Sequence, residues 1–148
     1  MADRIILLVE DNPDDAVLTR RALEKSEVAH TVEVARDGLE ALDYLFALGT
    51  HAERKTSEMP ALILLDLKLP KVDGLEVLRR LRADRLTRLI PVIVLSSSDE
   101  PGDLIESYKF GANSYIRKPV DFSEFTETVR ALAHYWLTLN EPPPSEPN

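Results

Sequence analysis

Apolar residues fall along this chain in two alternating patterns, short continuous runs and stripes at helical spacing. Ile5-Ile6-Leu7-Leu8-Val9, Ala61-Leu62-Ile63-Leu64-Leu65 and Pro91-Val92-Ile93-Val94-Leu95 are continuous runs, the mark of strands covered on both faces. Thr31 to Ala35 alternates like a strand, and Ser114 to Arg117 forms a shorter one. Between them the period lengthens to that of a helix. Pro13 to about Lys25 opens with Asn12 as cap, Pro13 at the first helical position and Asp14 and Asp15 in the first turn. Gly38 to about Leu48 carries Leu39, Leu42, Leu45 and Phe46 on one face, and Gly74 to about Ala83 carries Leu75, Leu78 and Leu81. Pro101 to about Phe110, stopped by Gly111, and Phe122 to about Leu139 complete the set. Five strand–helix units predict an α/β fold, a doubly wound parallel sheet with helices on both faces. A polar stretch from Gly49 to Met59 precedes the third strand, and a tail from Glu141 to Asn148 holds four prolines. The expected organisation is one domain over residues 1–140 and a disordered tail over 141–148.

Composition narrows the function. The 148 residues are enough for one core that buries about two-thirds of the unfolded surface. A net charge of -8 argues against a nucleic-acid partner. No apolar stretch approaches the length of a membrane span, so no membrane association is expected. The absence of cysteine excludes disulfides, thiolate metal sites and cysteine nucleophiles, and fits a cytoplasmic protein. His30, His51 and His134 are isolated and lack metal-ligand spacing. The arginines at 79, 80, 82, 85 and 88 read as the solvated face of a helix and its exit loop.

The chemistry sits where the apolar runs stop. Glu10 and Asp11 follow the first run and Asp66 follows the third. In open parallel sheets ligands bind at the carboxyl ends of the strands. If the two strands are neighbours, three carboxylates converge there. Their repulsion is tolerable when a cation sits among them, and an oxygen-only donor set favours Mg2+.

Five motifs in order resemble the receiver domain of two-component response regulators over roughly residues 3 to 139. They are Glu10-Asp11, Asp66, Asp73-Gly74, Ser96 and Lys118-Pro119, each just after a strand or opening the helix that follows. The resemblance implies the flavodoxin-like strand order 2-1-3-4-5 and makes Asp66 the acceptor of a phosphoryl group from a sensor histidine kinase. It adds the backbone carbonyl of Lys68 to the metal ligands Glu10, Asp11 and Asp66. It gives Ser96 and Lys118 to the phosphoryl oxygens, and makes Ser96 and Tyr115 a conformational switch. Gly74 is given a structural role. Pro119 resembles the family's cis-proline that aims the lysine. Glu10 stands where the family more often has Asp, which would make its metal contact water-mediated. Such a protein is a phosphoryl acceptor with self-phosphorylation and autodephosphorylation, not a turnover enzyme.

Within the family, the Glu-Asp-Asn-Pro start, the long polar stretch and the extended last helix resemble stand-alone regulators paired with bacterial phytochrome kinases. A chemotaxis-type motor regulator is the alternative input and output, and a phosphorylation-independent scaffold of the same fold is a second. A haloacid-dehalogenase-like phosphatase would need an acid where Lys68 stands, and no glycine-rich nucleotide loop occurs. At the end of the last helix, Tyr135, Trp136 and Leu139 exceed what a five-stranded domain needs to cover its sheet. A symmetric homodimer is expected there, with Trp136 near its centre.

Overall fold

The computed structural model describes residues 4–28 and 30–144. Five parallel strands, β1 (Arg4–Val9), β2 (His30–Ala35), β3 (Leu62–Leu65), β4 (Val92–Ser96) and β5 (Ser114–Arg117), form one sheet in the order β2-β1-β3-β4-β5. The helices between and after them are α1 (Pro13–Glu24), α2 (Gly38–Phe46), α3 (Gly74–Ala83), α4 (Pro101–Lys109) and α5 (Phe122–His134). Every residue of β3 and β4 is buried, as continuous apolar runs require.

The two-residue period of a strand sorts these runs into two cores. Leu7, Val9, Ile63, Leu65, Val92 and Val94 face α2 and α3, meeting Leu42, Leu45, Leu78 and Leu81. Ile6, Leu8, Leu62, Leu64, Ile93 and Leu95 face the other way, where α1 supplies Leu23 and α5 supplies Phe125, Val129 and Leu132. Each fully covered side chain of this size stabilises the fold by roughly 1.5–3 kcal/mol. Asn12, Asp37, Asp73 and Asp121 cap α1, α2, α3 and α5 by accepting amide hydrogen bonds of the first turn. The first turn of α4 has no side-chain cap, and Ser107 is its one buried residue.

Two expectations need correction at helix ends. The second helix stops at Phe46, because Ala47 turns left-handed at φ 54° and the Leu48 amide returns to the Asp43 carbonyl at 2.8 Å. The last helix ceases to be α-helical at His134, and Tyr135–Leu139 forms a wider π turn. The extra residue in that turn changes which side chains face the sheet. Leu137 is buried, its carbonyl takes the Arg4 guanidinium, and Trp136 packs partly buried against its own core. Trp136, expected at the centre of a contact between copies, is thus drawn onto its own domain, leaving Tyr135 48% and Leu139 64% exposed.

One arginine departs from the solvated reading, and a second is anchored within the polar stretch. Arg82 is half-buried and donates to the carbonyls of Arg88, Ile90 and Gly111 and to Asn113 Oδ1. Arg54, inside the polar stretch, donates to the carbonyls of Tyr44 and Leu45 at the end of α2 and lies 4.4 Å over the Tyr44 ring. Residues 141–144 are exposed, and Pro142 to Pro144 border a cavity of about 580 Å3 with Met59, Leu86 and Leu89. The tail positions 145–148 lie outside the described residues.

Candidate acidic metal and phosphoryl site

The site is assembled by strand register. Val9 pairs with Leu65, so Glu10 and Asp66 leave adjacent strands side by side, and the Asp66 amide bonds the Val9 carbonyl at 3.1 Å. Ser96 pairs with Arg117, and the Lys118 amide bonds the Ser96 carbonyl at 2.8 Å. Gly74 lets α3 begin directly behind the acceptor position. A Cβ there would lie 2.3 Å from the Asp66 carbonyl oxygen, and the Gly74 amide bonds the Leu67 carbonyl at 2.9 Å.

One carboxylate oxygen from each of Glu10, Asp11 and Asp66 lies within 4.8 Å of the others. Glu10 is buried, Asp66 is nearly so, and Asp11 is exposed. Lys118 enters from the far edge. Its Nζ donates to Glu10 Oε1 at 2.5 Å, Asp66 Oδ2 at 3.2 Å and Asp15 Oδ2 at 3.2 Å. Glu10, the longer acid, thus forms a direct ion pair with the lysine. The second Glu10 oxygen accepts the Asn12 amide. Burial pushes the Glu10 carboxyl up to about 7, against the downward pull of Lys118. Burial also disfavours the Lys118 ammonium, but the Glu10 hydrogen bond and the charges of Asp66, Glu10 and Asp15 outweigh it and raise its pKa.

The donors fit a hard divalent cation. They are all oxygens, they carry excess negative charge, and the ammonium of Lys118 already stands in for positive charge between two of them. Asp66 Oδ1 is held by the amides of Leu67 at 2.7 Å and Lys68 at 3.4 Å. Asp11 and Lys68 line a cavity of about 460 Å3 beside the cluster, together with Asp73 and Asp103.

Around the rim, Ser96 is fully buried and its hydroxyl oxygen accepts the Ser98 amide at 3.2 Å. Tyr115 is half-buried, with its hydroxyl donating to the Ser98 carbonyl at 2.9 Å. Its ring packs partly buried against the core that faces α2 and α3. The Lys118–Pro119 bond is trans, as no cis peptide occurs among the described residues. Lys118 reaches the acids regardless. Sequence reasoning missed two contributors. Asp15 was read as a helix-start acid, although its position four residues after Asp11 was the available signal. Asp103, which joins Ser98 Oγ at 2.5 Å and Lys68 Nζ at 3.7 Å, gave no local signal.

A doubly wound sheet with an acidic triad and a lysine at its carboxyl edge defines a receiver domain. The family model for the response regulator receiver domain matches residues 6–130, and the chain belongs to that family. It is 38% identical to the response regulator Rcp1 of Synechocystis over 90% of this chain and 89% of Rcp1. It is 44% identical to the probable methanogenesis regulatory protein FilR2 of Methanothrix harundinacea, over 94% of this chain and 87% of that one. Among solved structures, the phosphorylated cyanobacterial phytochrome response regulator RcpA superposes with a TM-score of 0.89 at 41% identity, over 97% of this chain and 100% of RcpA.

Proposed function

We propose that Asp66 accepts a phosphoryl group from the phosphohistidine of a sensor histidine kinase, and that this kinase is a phytochrome. The observation that supports it most directly is the placement of Lys118 Nζ between Glu10 and Asp66 at the mouth of an acidic cluster. An anionic phosphoryl donor approaching a carboxylate needs compensating positive charge. Mg2+, held by Glu10, Asp11 and Asp66 with the Lys68 carbonyl, would supply it on one side.

The chain's own residues do the rest. An Asp66 oxygen forms the bond to phosphorus as the P–N bond breaks, and the histidine nitrogen leaves with the electron pair. Lys118 turns its ammonium from Glu10 and Asp66 to a phosphoryl oxygen. The Ser96 hydroxyl, freed from the Ser98 amide, donates to another. Because Ser98 also holds Tyr115, that exchange alters the β4–α4 loop and favours one state of the switch. In autodephosphorylation water attacks phosphorus, the Asp66 carboxylate leaves with the electron pair, and release of inorganic phosphate returns the chain to its first state.

The phytochrome assignment is supported by the likeness to RcpA over the whole of that chain. Output through a protein partner or a second copy, in the cytoplasm, fits the charge of -8 better than nucleic acid does. No helix among the described residues is long and apolar enough to cross a membrane.

With a labelled phosphodonor and Mg2+, the protein should form an acid-stable, base-labile acyl phosphate that Asp66→Asn cannot form while keeping its fold. Undiminished labelling of Asp66→Asn refutes the assignment. Transfer from a phytochrome kinase should outpace transfer from other histidine kinases of the same cell; equal or slower transfer removes the phytochrome input.

A further inference from the structure

The three carboxylates that hold Lys118 are not equivalent. Glu10 and Asp66 belong to the cluster tight enough to bind a cation, and Asp15 does not. Asp15 stands on the first turn of α1 and is 39% exposed at its side chain. Its amide is tied to the cap Asn12 Oδ1 at 3.1 Å, and its carbonyl accepts the hydroxyl of the buried Thr19 at 2.7 Å. That turn is fixed at both ends, so the carboxylate is presented to Lys118 Nζ at 3.2 Å rather than left to wander.

A divalent cation among Glu10, Asp11 and Asp66 changes the lysine's position. Like charges a few ångströms apart repel strongly at the effective dielectric of a protein rim. A cation in the cluster therefore repels the ammonium and takes two of its three partners. Among the described residues, Asp15 is the one Lys118 partner that remains. We propose that Asp15 is the positioning residue for Lys118: it retains the ammonium beside the site when a divalent cation occupies Glu10, Asp11 and Asp66. The lysine then stays within reach of an incoming phosphoryl oxygen. An acid that merely favours the start of α1 would do none of this. The role rests on Asp66 being the acceptor, but its test does not use labelling of Asp66, so either reading can fail alone.

The test is a calorimetric titration of the chelator-stripped full chain with Mg2+ alone, in a double-mutant cycle. Asp15→Asn should weaken Mg2+ binding about threefold to tenfold in the native background, within the lower part of the range of pairwise couplings between neighbours. In a Lys118→Met background the same change should alter it less than about twofold, since no ammonium is left to accommodate. Asp15→Glu should restore native affinity. In the Mg2+-saturated protein, the Lys118 ammonium resonance should persist in the native chain and in Asp15→Glu, and be lost to exchange in Asp15→Asn. An equal loss of affinity in both backgrounds overturns the proposal, because Asp15 would then act on the cation directly. An Asp15→Asn protein with native affinity and a retained lysine signal overturns it as well.

Discussion

Glu10 is the residue whose protonation the fold controls most visibly. Its carboxyl is buried against Lys118 and pushed up to about 7. The folded protein thus holds this proton more tightly than the unfolded chain, whose Glu titrates near 4.5. The sign follows from linkage: between those values the native state binds more protons, so stability falls as pH rises. Urea unfolding of the metal-free protein from pH 4.5 to pH 7 should show a decline that Glu10→Gln removes. An identical slope in the two proteins would mean that Glu10 is not the titrating group. Lys118 does not contribute in that window, because its raised pKa affects stability only at alkaline pH. Glu10, Asp11 and Asp66 were legible as candidates in the sequence because they follow apolar runs, and Ser96 and Lys118 through the order of motifs that the chain shares with receiver domains. Which acids the lysine would choose was not, because that depends on strand register.

At the scale of the element, two glycines at helix starts have opposite roles. Gly74 opens α3 with no room for a side chain, and Gly102 in α4 has nothing within 4 Å of a Cβ position. Gly74→Ala should lower stability by about 2 kcal/mol or more, because backbone or the Asp66 loop must move. It should weaken phosphorylation in parallel. Gly102→Ala should raise stability by roughly 0.5–1 kcal/mol, since it only restricts the unfolded chain and favours the helix. Chemical denaturation of both variants checks the pair. The polar stretch after α2 is another element decided by one residue. Arg54 donates to the Tyr44 and Leu45 carbonyls at the end of α2, so Arg54→Ala should cost about 1–3 kcal/mol in the same assay. The sequence showed that stretch only as polar, because a side chain's carbonyl partners leave no periodic trace.

For the whole molecule, the open question of assembly centres on the end of α5. Tyr135 and Leu139 remain exposed, while Trp136 and Leu137 serve the chain's own core. If this end carries a homodimer, Tyr135→Ala combined with Leu139→Ser should shift a dimer to monomer in light scattering at tens of micromolar. Trp136→Ala should instead destabilise the monomer by about 3 kcal/mol or less, as removal of a partly buried aromatic does. A monomer with and without phosphorylation would remove the dimer. A dimer unaffected by the double change would move the interface elsewhere. As the chain's one tryptophan, Trp136 makes fluorescence a direct report on this end of the molecule.

The sequence by itself determined the five strands and five helices, the two-faced sheet and the acids at its carboxyl edge. These are properties of local periodicity, caps and chain order, which a sequence states directly. The tertiary structure alone decided that Lys118 meets Asp15 across 103 residues, that Tyr115 sits inward on Ser98, and that Arg82 is anchored rather than solvated. It also decided that the end of α5 folds Trp136 onto its own core through a π turn. Each of these depends on where a long side chain or a helix end arrives after the strands have paired. That arrival is set by register and packing between distant segments, for which no single stretch of sequence carries the information.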